Sequence, residues 1–318
     1  HSSIAGRLAG ACRNIGRTQI ADYILSAMRS AGYDVRENDP FEKNIGLVIA
    51  SREISPYVNR MRMLWESMRE TVVDIFPVAN GLPDKTYKYL QEVEEIYVYD
   101  AYHSLSIEGY RVSRGLIEKV RSGQWNPDKD EGDRSLKDAM AARGYWQSYR
   151  SVRKSLEKIL EGENSGKVVR SEHGNWYREM FAPSITAGLL KPADLAGYRN
   201  NQVYIRQSMH VPPQSDSVRE LMPSLFDLLE NEPDAGVRTV LGHFMFSYIH
   251  PYMDGNGRIG RFLMNVMLAS GGYPWTVVPL EKRKDFMTSL ELASVKQDIS
   301  LFAELIADLV REQMPDSN

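Results

Sequence analysis

The sequence predicts an all-α protein interrupted by one short β-hairpin. Two observations carry this: apolar residues recur three and four positions apart along most of the 318 residues, and alternating β-branched runs are few. Gly and Pro then mark where the periodic segments stop.

Taken in order, the first clear helix carries Ile20, Tyr23, Ile24, Ala27 and Met28 and ends near Gly32, before a turn-rich stretch with Pro40. A long helix is expected from about Pro56 to Phe76, broken by Pro77, Gly81 and Pro83. The next carries Tyr89, Val93, Ile96 and Tyr97 to about Ile107, with Gly109 as its C-terminal stop. Gln124 to Gly132 reads as a surface loop and Arg134 to Leu160 as helix. Glu161 to Lys167, with Gly162 and Gly166, reads as an internal linker. Gln202 to Val211 reads as extended, because Val203, Tyr204 and Ile205 are β formers and Pro212-Pro213 closes the segment. Five helical stretches follow, near 217–229, 236–249, 257–270, 280–295 and 300–312. The expected organisation is a helical extension over 1–55, a helical region over 56–165 and a core over 166–318.

Bulk composition excludes some classes of function. Lys and Arg total 39 against 42 Asp and Glu, so a net charge of -3 gives no general attraction to nucleic acid or anionic lipid. An anion site must be built locally. One cysteine, Cys12, cannot form an internal disulfide and fits a reducing compartment, so the expectation is cytoplasmic. No apolar run approaches the roughly 20 residues of a membrane span, and no secretory signal opens the chain.

Chemistry concentrates in His250-Pro251-Tyr252-Met253-Asp254-Gly255-Asn256-Gly257-Arg258-Ile259-Gly260-Arg261. Pro251 disfavours the helical region for His250, so the preceding helix should end there and leave the imidazole on a loop. Gly255 and Gly257 allow successive N–H groups to turn inward as an anion nest. A helix beginning near Gly257 would aim its positive end at the same point. Arg258 and Arg261, three apart, are neighbours on its first turns, and two guanidiniums beside such a nest suit a polyphosphate. Asp254 offers a hard oxygen of the kind Mg²⁺ prefers.

This segment resembles the signature of the Fic family, HPFxDGNGRxxR, with Tyr252 at the Phe position. The resemblance extends over most of the chain from about residue 55, including 202–213 and Gly272-Tyr273-Pro274. It implies a Fic-type helical bundle that transfers AMP from ATP to a Ser, Thr or Tyr hydroxyl of a target protein and releases pyrophosphate. In that reading His250 is the general base and Asp254 holds Mg²⁺. Asn256 and the N–H groups around Gly255 and Gly257 hold the α-phosphate, and Arg258 and Arg261 bind the outer phosphates. Val203, Tyr204, Ile205 and Arg206 form a flap that pairs with the target and lines the nucleotide site. Phe286 and Met287 fall at the base-binding position, and Ser294 stands where some relatives carry Asn.

Upstream, Ser104-Leu105-Ser106-Ile107-Glu108-Gly109 resembles the family's inhibitory pattern, Ser/Thr-x-x-x-Glu-Gly/Asn. The resemblance implies that Glu108 pairs with Arg261 and turns ATP into an unproductive pose. Removal of AMP by the same site, or nucleotide sensing without transfer, are the alternatives. Gly257 argues against the phosphorylating variant of the fold, whose motif has Lys there; phosphocholine transfer stays open. The partner is a protein, with self-modification and a homodimer open, and neither nucleic acid nor membrane is expected.

Overall fold

The computed structural model describes residues 2–40, 55–125 and 133–314. Those residues form twelve α-helices and no β-strand. The chain divides into two compact units, His1–Ile54 and Ser55–Asn318. In the first, α1 (Ser2–Asn14) packs on α2 (Thr18–Ser30) around Ala5, Ala9, Ala21, Leu25 and Val35.

The second unit is built around α9 (Ala235–Ile249) and α10 (Asn256–Ser270), which are buried on nearly all sides. Around this pair pack α3 (Pro56–Ile75), α6 (Asp133–Leu160), α7 (Ser165–Thr186) and α8 (Ser215–Asn231). The stripe Val58, Met61, Leu64, Trp65, Met68 and Val72 turns α3 inward with helical spacing. Helices α11 (Arg283–Lys296) and α12 (Ser300–Arg311) close one side, and the short α5 (Arg114–Arg121) packs on α6.

Helix α4 (Thr86–Ile107) positions Ser104 and Glu108. Its buried Asp100 accepts hydrogen bonds from the Tyr145 hydroxyl at 2.6 Å and from Trp275 Nε1 at 3.2 Å. Burial pushes this carboxyl up to about 6. Ser104 and Glu108 follow at intervals of four on the same face. Helix α4 then ends in a Schellman turn: Gly109 N–H donates to Ser106 O and Tyr110 N–H to Leu105 O, with Gly109 at φ 88°.

Two expectations differ from the structure. The 202–211 segment forms no ladder: Pro212 and Pro213 lack N–H donors, and the loop is closed instead by the Gln202 side chain, which donates to Pro212 O at 2.8 Å. The 161–167 stretch is a tight turn followed by the start of α7, not a linker. There Gly166 meets α8 so closely that a Cβ would lie 2.4 Å from Glu230 N. Residues 126–132 of the expected surface loop lie outside the described residues.

Candidate active site

The candidate catalytic loop joins the two most buried helices. His250 caps α9 in the left-handed region, φ 51° and ψ 62°. It is non-helical, as Pro251 requires, yet not extended. Arg199 explains why: its Nε donates to His250 O at 2.8 Å, its guanidinium also reaches the carbonyls of Ile249, Asn201 and Pro213, and its own N–H donates to Pro251 O at 2.9 Å. Strain of this kind persists where the surroundings over-determine it. His250 Nδ1 lies 3.4 Å from Ser247 O, so a proton on Nδ1 leaves the lone pair on Nε2. Burial holds the imidazole pKa below its usual value.

Gly255, at φ 83°, turns the chain into α10, which begins at Asn256. The Asn256 side chain is committed to the loop itself: its Oδ1 accepts from Tyr252 N–H at 2.9 Å and its Nδ2 donates to Tyr252 O at 2.8 Å. Tyr252 in turn stacks on Tyr177, ring centroids 3.8 Å apart. Asn256 therefore braces the nest, and what it offers a ligand is its backbone N–H at the helix start.

A carboxylate already stands at that helix start. Glu108 Oε1 accepts from Arg261 Nη2 at 2.8 Å, while Ser104 accepts from Arg261 Nε at its hydroxyl (2.9 Å) and from Nη2 at its carbonyl (3.0 Å). Burial by itself would raise the Glu108 pKa; Arg261 and then Arg258 outweigh it and hold the carboxyl below its usual range. Arg261 Nη1 has no hydrogen-bond partner.

Arg258 is 2% exposed and lies 3.5 Å from Asp254 Oδ1. The Asp254 side chain is 65% exposed, with Oδ1 accepting from Gly255 N–H at 2.6 Å. Among the described residues no three His, Cys, Asp or Glu side chains gather around a metal position. A metal here would take one protein oxygen, from Asp254, and the rest from phosphate and water, a donor set that suits Mg²⁺.

A cavity of about 580 Å³ brings several of these residues together. Glu108, His250, Asn256, Gly257 and Arg261 form one wall; Phe286, Met287 and Ser294 of α11 form another; Ile205 and Arg206 approach from the 202–211 loop. Its size is that of ordinary ligand pockets. Val203, Tyr204, Gly255 and Arg258 do not line it, and Tyr204 is 76% exposed. Asp254 lines a separate cavity of about 730 Å³ with Tyr177, Phe181 and Arg199. Phe286 also packs against His243 and Phe302, so it is wall and core at once.

Sequence reasoning missed Arg199, Glu291 and Arg283. Glu291 of α11 accepts from Ser208 Oγ at 2.5 Å and from Met209 N–H at 2.8 Å, pinning the loop. Arg283 Nε donates to Ile107 O at 2.9 Å, at the end of α4. Each acts across long sequence separation, so no local spacing announces it.

Fold and site together define an all-α protein in which an imidazole, a helix start and a Glu–Arg pair line one ligand-sized cavity. Residues 172–268 match the Fic/DOC family. Over 225 residues the chain is 28% identical to "Protein adenylyltransferase Fic" of Drosophila willistoni, covering 70% of this chain and 41% of that protein. Over 131 residues it is 34% identical to the protein of the same name from Drosophila ananassae, covering 40% and 26% respectively. Among solved structures, Fic-1 from C. elegans superposes with a TM-score of 0.57 at 21% identity, covering 98% of this chain and 86% of that chain. A Fic domain containing signaling protein from Bacteroides thetaiotaomicron gives 0.51 at 18%, covering 80% and 92%. These likenesses show the all-α Fic fold. The family match covers residues 172–268, and the chain spans about two fifths of the length of the first of these curated relatives.

Proposed function

We propose that this chain is a protein adenylyltransferase, moving AMP from ATP to a Ser, Thr or Tyr hydroxyl of a protein, and that Glu108 restrains it. The observation that carries the reading is the shared cavity: an imidazole, a helix start and a guanidinium line one space, and a carboxylate of the same chain occupies the anion position. The names of the Drosophila relatives support it.

His250 Nε2 takes the proton as the target oxygen bonds to the α-phosphorus, and the bond from that phosphorus to the bridging oxygen breaks, pyrophosphate leaving with the electron pair. Backbone N–H groups at Gly255 to Gly257 stabilise the charge on the α-phosphate, and Arg258 and Arg261 that on the outer phosphates. Mg²⁺, held by Asp254, would supply further neutralisation of the phosphates. Phe286 and Met287 receive the base, and the 202–211 loop presents its exposed Tyr204 arm to the target.

Residues 166–318 thus carry the chemistry, 56–165 carry the restraint, and the lone Cys12 is in keeping with a cytoplasmic setting. AMP removal is the second reading, favoured by the Glu108 carboxylate facing the His250 cavity.

The test incubates the Glu108→Gly form with labelled ATP and lysate, with a Glu108→Gly/His250→Ala control. Labelled protein bands that disappear in the control, with a mass increase of AMP, are expected. Absence of ATP-derived label in Glu108→Gly would sink the transfer reading; loss of AMP from a modified target by the wild type alone would replace it with removal.

A further inference from the structure

The turn that ends α4 reaches both arginines of the anion site, and it treats them differently. Arg261 spends Nε and Nη2 on Ser104 and Glu108. Arg258 instead lies between two aromatic rings, its Cζ 5.2 Å from the centroid of Tyr110 and 5.2 Å from that of Phe181. Its Nε has no hydrogen-bond partner, and its ion-pair partner among the described residues is the largely exposed Asp254 at 3.5 Å.

A buried guanidinium is costly unless something compensates its charge. Ring faces do so without consuming N–H donors. The two rings therefore hold Arg258 in place on the first turn of α10. Phe181 comes from α7, and it also rests against Gly255, where a Cβ would lie 2.8 Å from its ring. Tyr110 comes from the same turn as Glu108.

We propose that Tyr110 is a positioning residue for Arg258, so that one turn both withholds Arg261 through Glu108 and prepares Arg258 for the outer phosphates. The inference rests on the nucleotide-site reading above. It has a mechanical consequence: relief of the restraint swings the Glu108 side chain while the turn stays in place. The contacts fit this division. The turn's backbone is held by its Schellman bonds, by Arg283 on Ile107 O and by the buried Asp100 below, whereas the Glu108 carboxylate is held by Arg261 at the edge of the cavity. Departure of the whole turn would free Arg261 and strip Arg258 of one wall.

The test measures ATP, ADP and adenosine affinity by calorimetry in Mg²⁺ buffer, with Glu108→Ala as background. Adding Tyr110→Leu is expected to weaken ATP and ADP about tenfold and leave adenosine unchanged, while Tyr110→Phe stays within about threefold. Tyr110→Met, which keeps bulk without a π face, should behave as Tyr110→Leu and guards against a folding defect. In an Arg258→Gln background the Tyr110→Leu effect should vanish. Tighter ATP binding on losing the ring would overturn the proposal and make Tyr110 part of the restraint. Equal loss in the Arg258→Gln background, or on adenosine, would reduce Tyr110 to a packing residue. Because binding is read without transfer, a Glu108→Ala form that binds ATP but modifies nothing would count against the transfer reading alone.

Discussion

The carboxylate of Glu108 sits directly against Gly257: a Cβ built on Gly257 would lie 2.2 Å from Glu108 Oε1. The first turn of α10 and the Glu108 carboxylate therefore share one van der Waals surface, and neither can grow without moving the other. Gly257→Ala should cost about 1–3 kcal/mol of stability, the usual range for overpacking. In a Glu108→Gly background most of that cost should disappear. Urea unfolding of the two single variants and the double variant measures the coupling, and equal costs in both backgrounds would separate the two residues.

His250 yields a kinetic prediction whose sign follows from burial. Desolvation lowers the imidazole pKa below 6.5, so the neutral base dominates at pH 7. In the Glu108→Gly form, the transfer rate should rise with pH along a limb centred below 6.5 and be flat at neutrality. A limb centred above pH 7 would assign the titration to another group.

Arg199 governs the orientation of that base from outside the motif. It is 3% exposed and satisfies carbonyls on both the α9 end and the 202–213 loop. Arg199→Ala would orphan several buried acceptors, so a loss of about 3 kcal/mol is expected. Transfer by the Glu108→Gly form should fall further than its ATP affinity, because His250 leaves its left-handed conformation. Lysine cannot reproduce the planar fork, so Arg199→Lys should restore only part. Transfer and ATP affinity falling in equal proportion would indicate general loosening.

How much of this was legible in the sequence follows from how local each cause is. Helices α3, α4, α6 and α8 through α12 announce themselves by apolar spacing, and the dense His250–Arg261 segment by residue type alone. Helix α7 was missed because the run Arg170-Ser171-Glu172-His173-Gly174-Asn175 hides a stripe made by Val169, His173, Trp176 and Met180. Helix α1 is rich in Ala and Gly, and α5 has eight residues, so neither shows a long period. The expected hairpin failed because β propensity without a partner strand makes no ladder. The Asn256 clasp, the Arg199 brace and the Tyr110 wall depend on tertiary neighbours 4, 51 and 148 positions away, respectively Tyr252, His250 and Arg258. Of these only the first lies within reach of a motif.

Acid sensitivity should arise from histidine rather than from the site's carboxylate. His103, His173, His210, His243 and His250 all have pKa values pushed below 6.5 with burial as the largest cause. His243, fully buried between α9 and α10 against Phe286 and Phe302, is lowered to about 4. Above 6.5 both folded and unfolded forms are neutral and the contribution to stability is intact. As pH falls below 6.5 the unfolded chain binds the proton first, so stability declines until the folded pKa near 4 is reached. For His243 the loss between pH 7 and pH 5 is about 2 kcal/mol. His243→Phe, which keeps a ring among the neighbouring rings, should therefore lose less stability over that interval by about that amount. Urea unfolding at pH 7 and pH 5 decides it: identical pH losses in the two proteins would mean that His243 takes up its proton in the fold at the same pH as in the unfolded chain, so that burial between α9 and α10 does not oppose its charge.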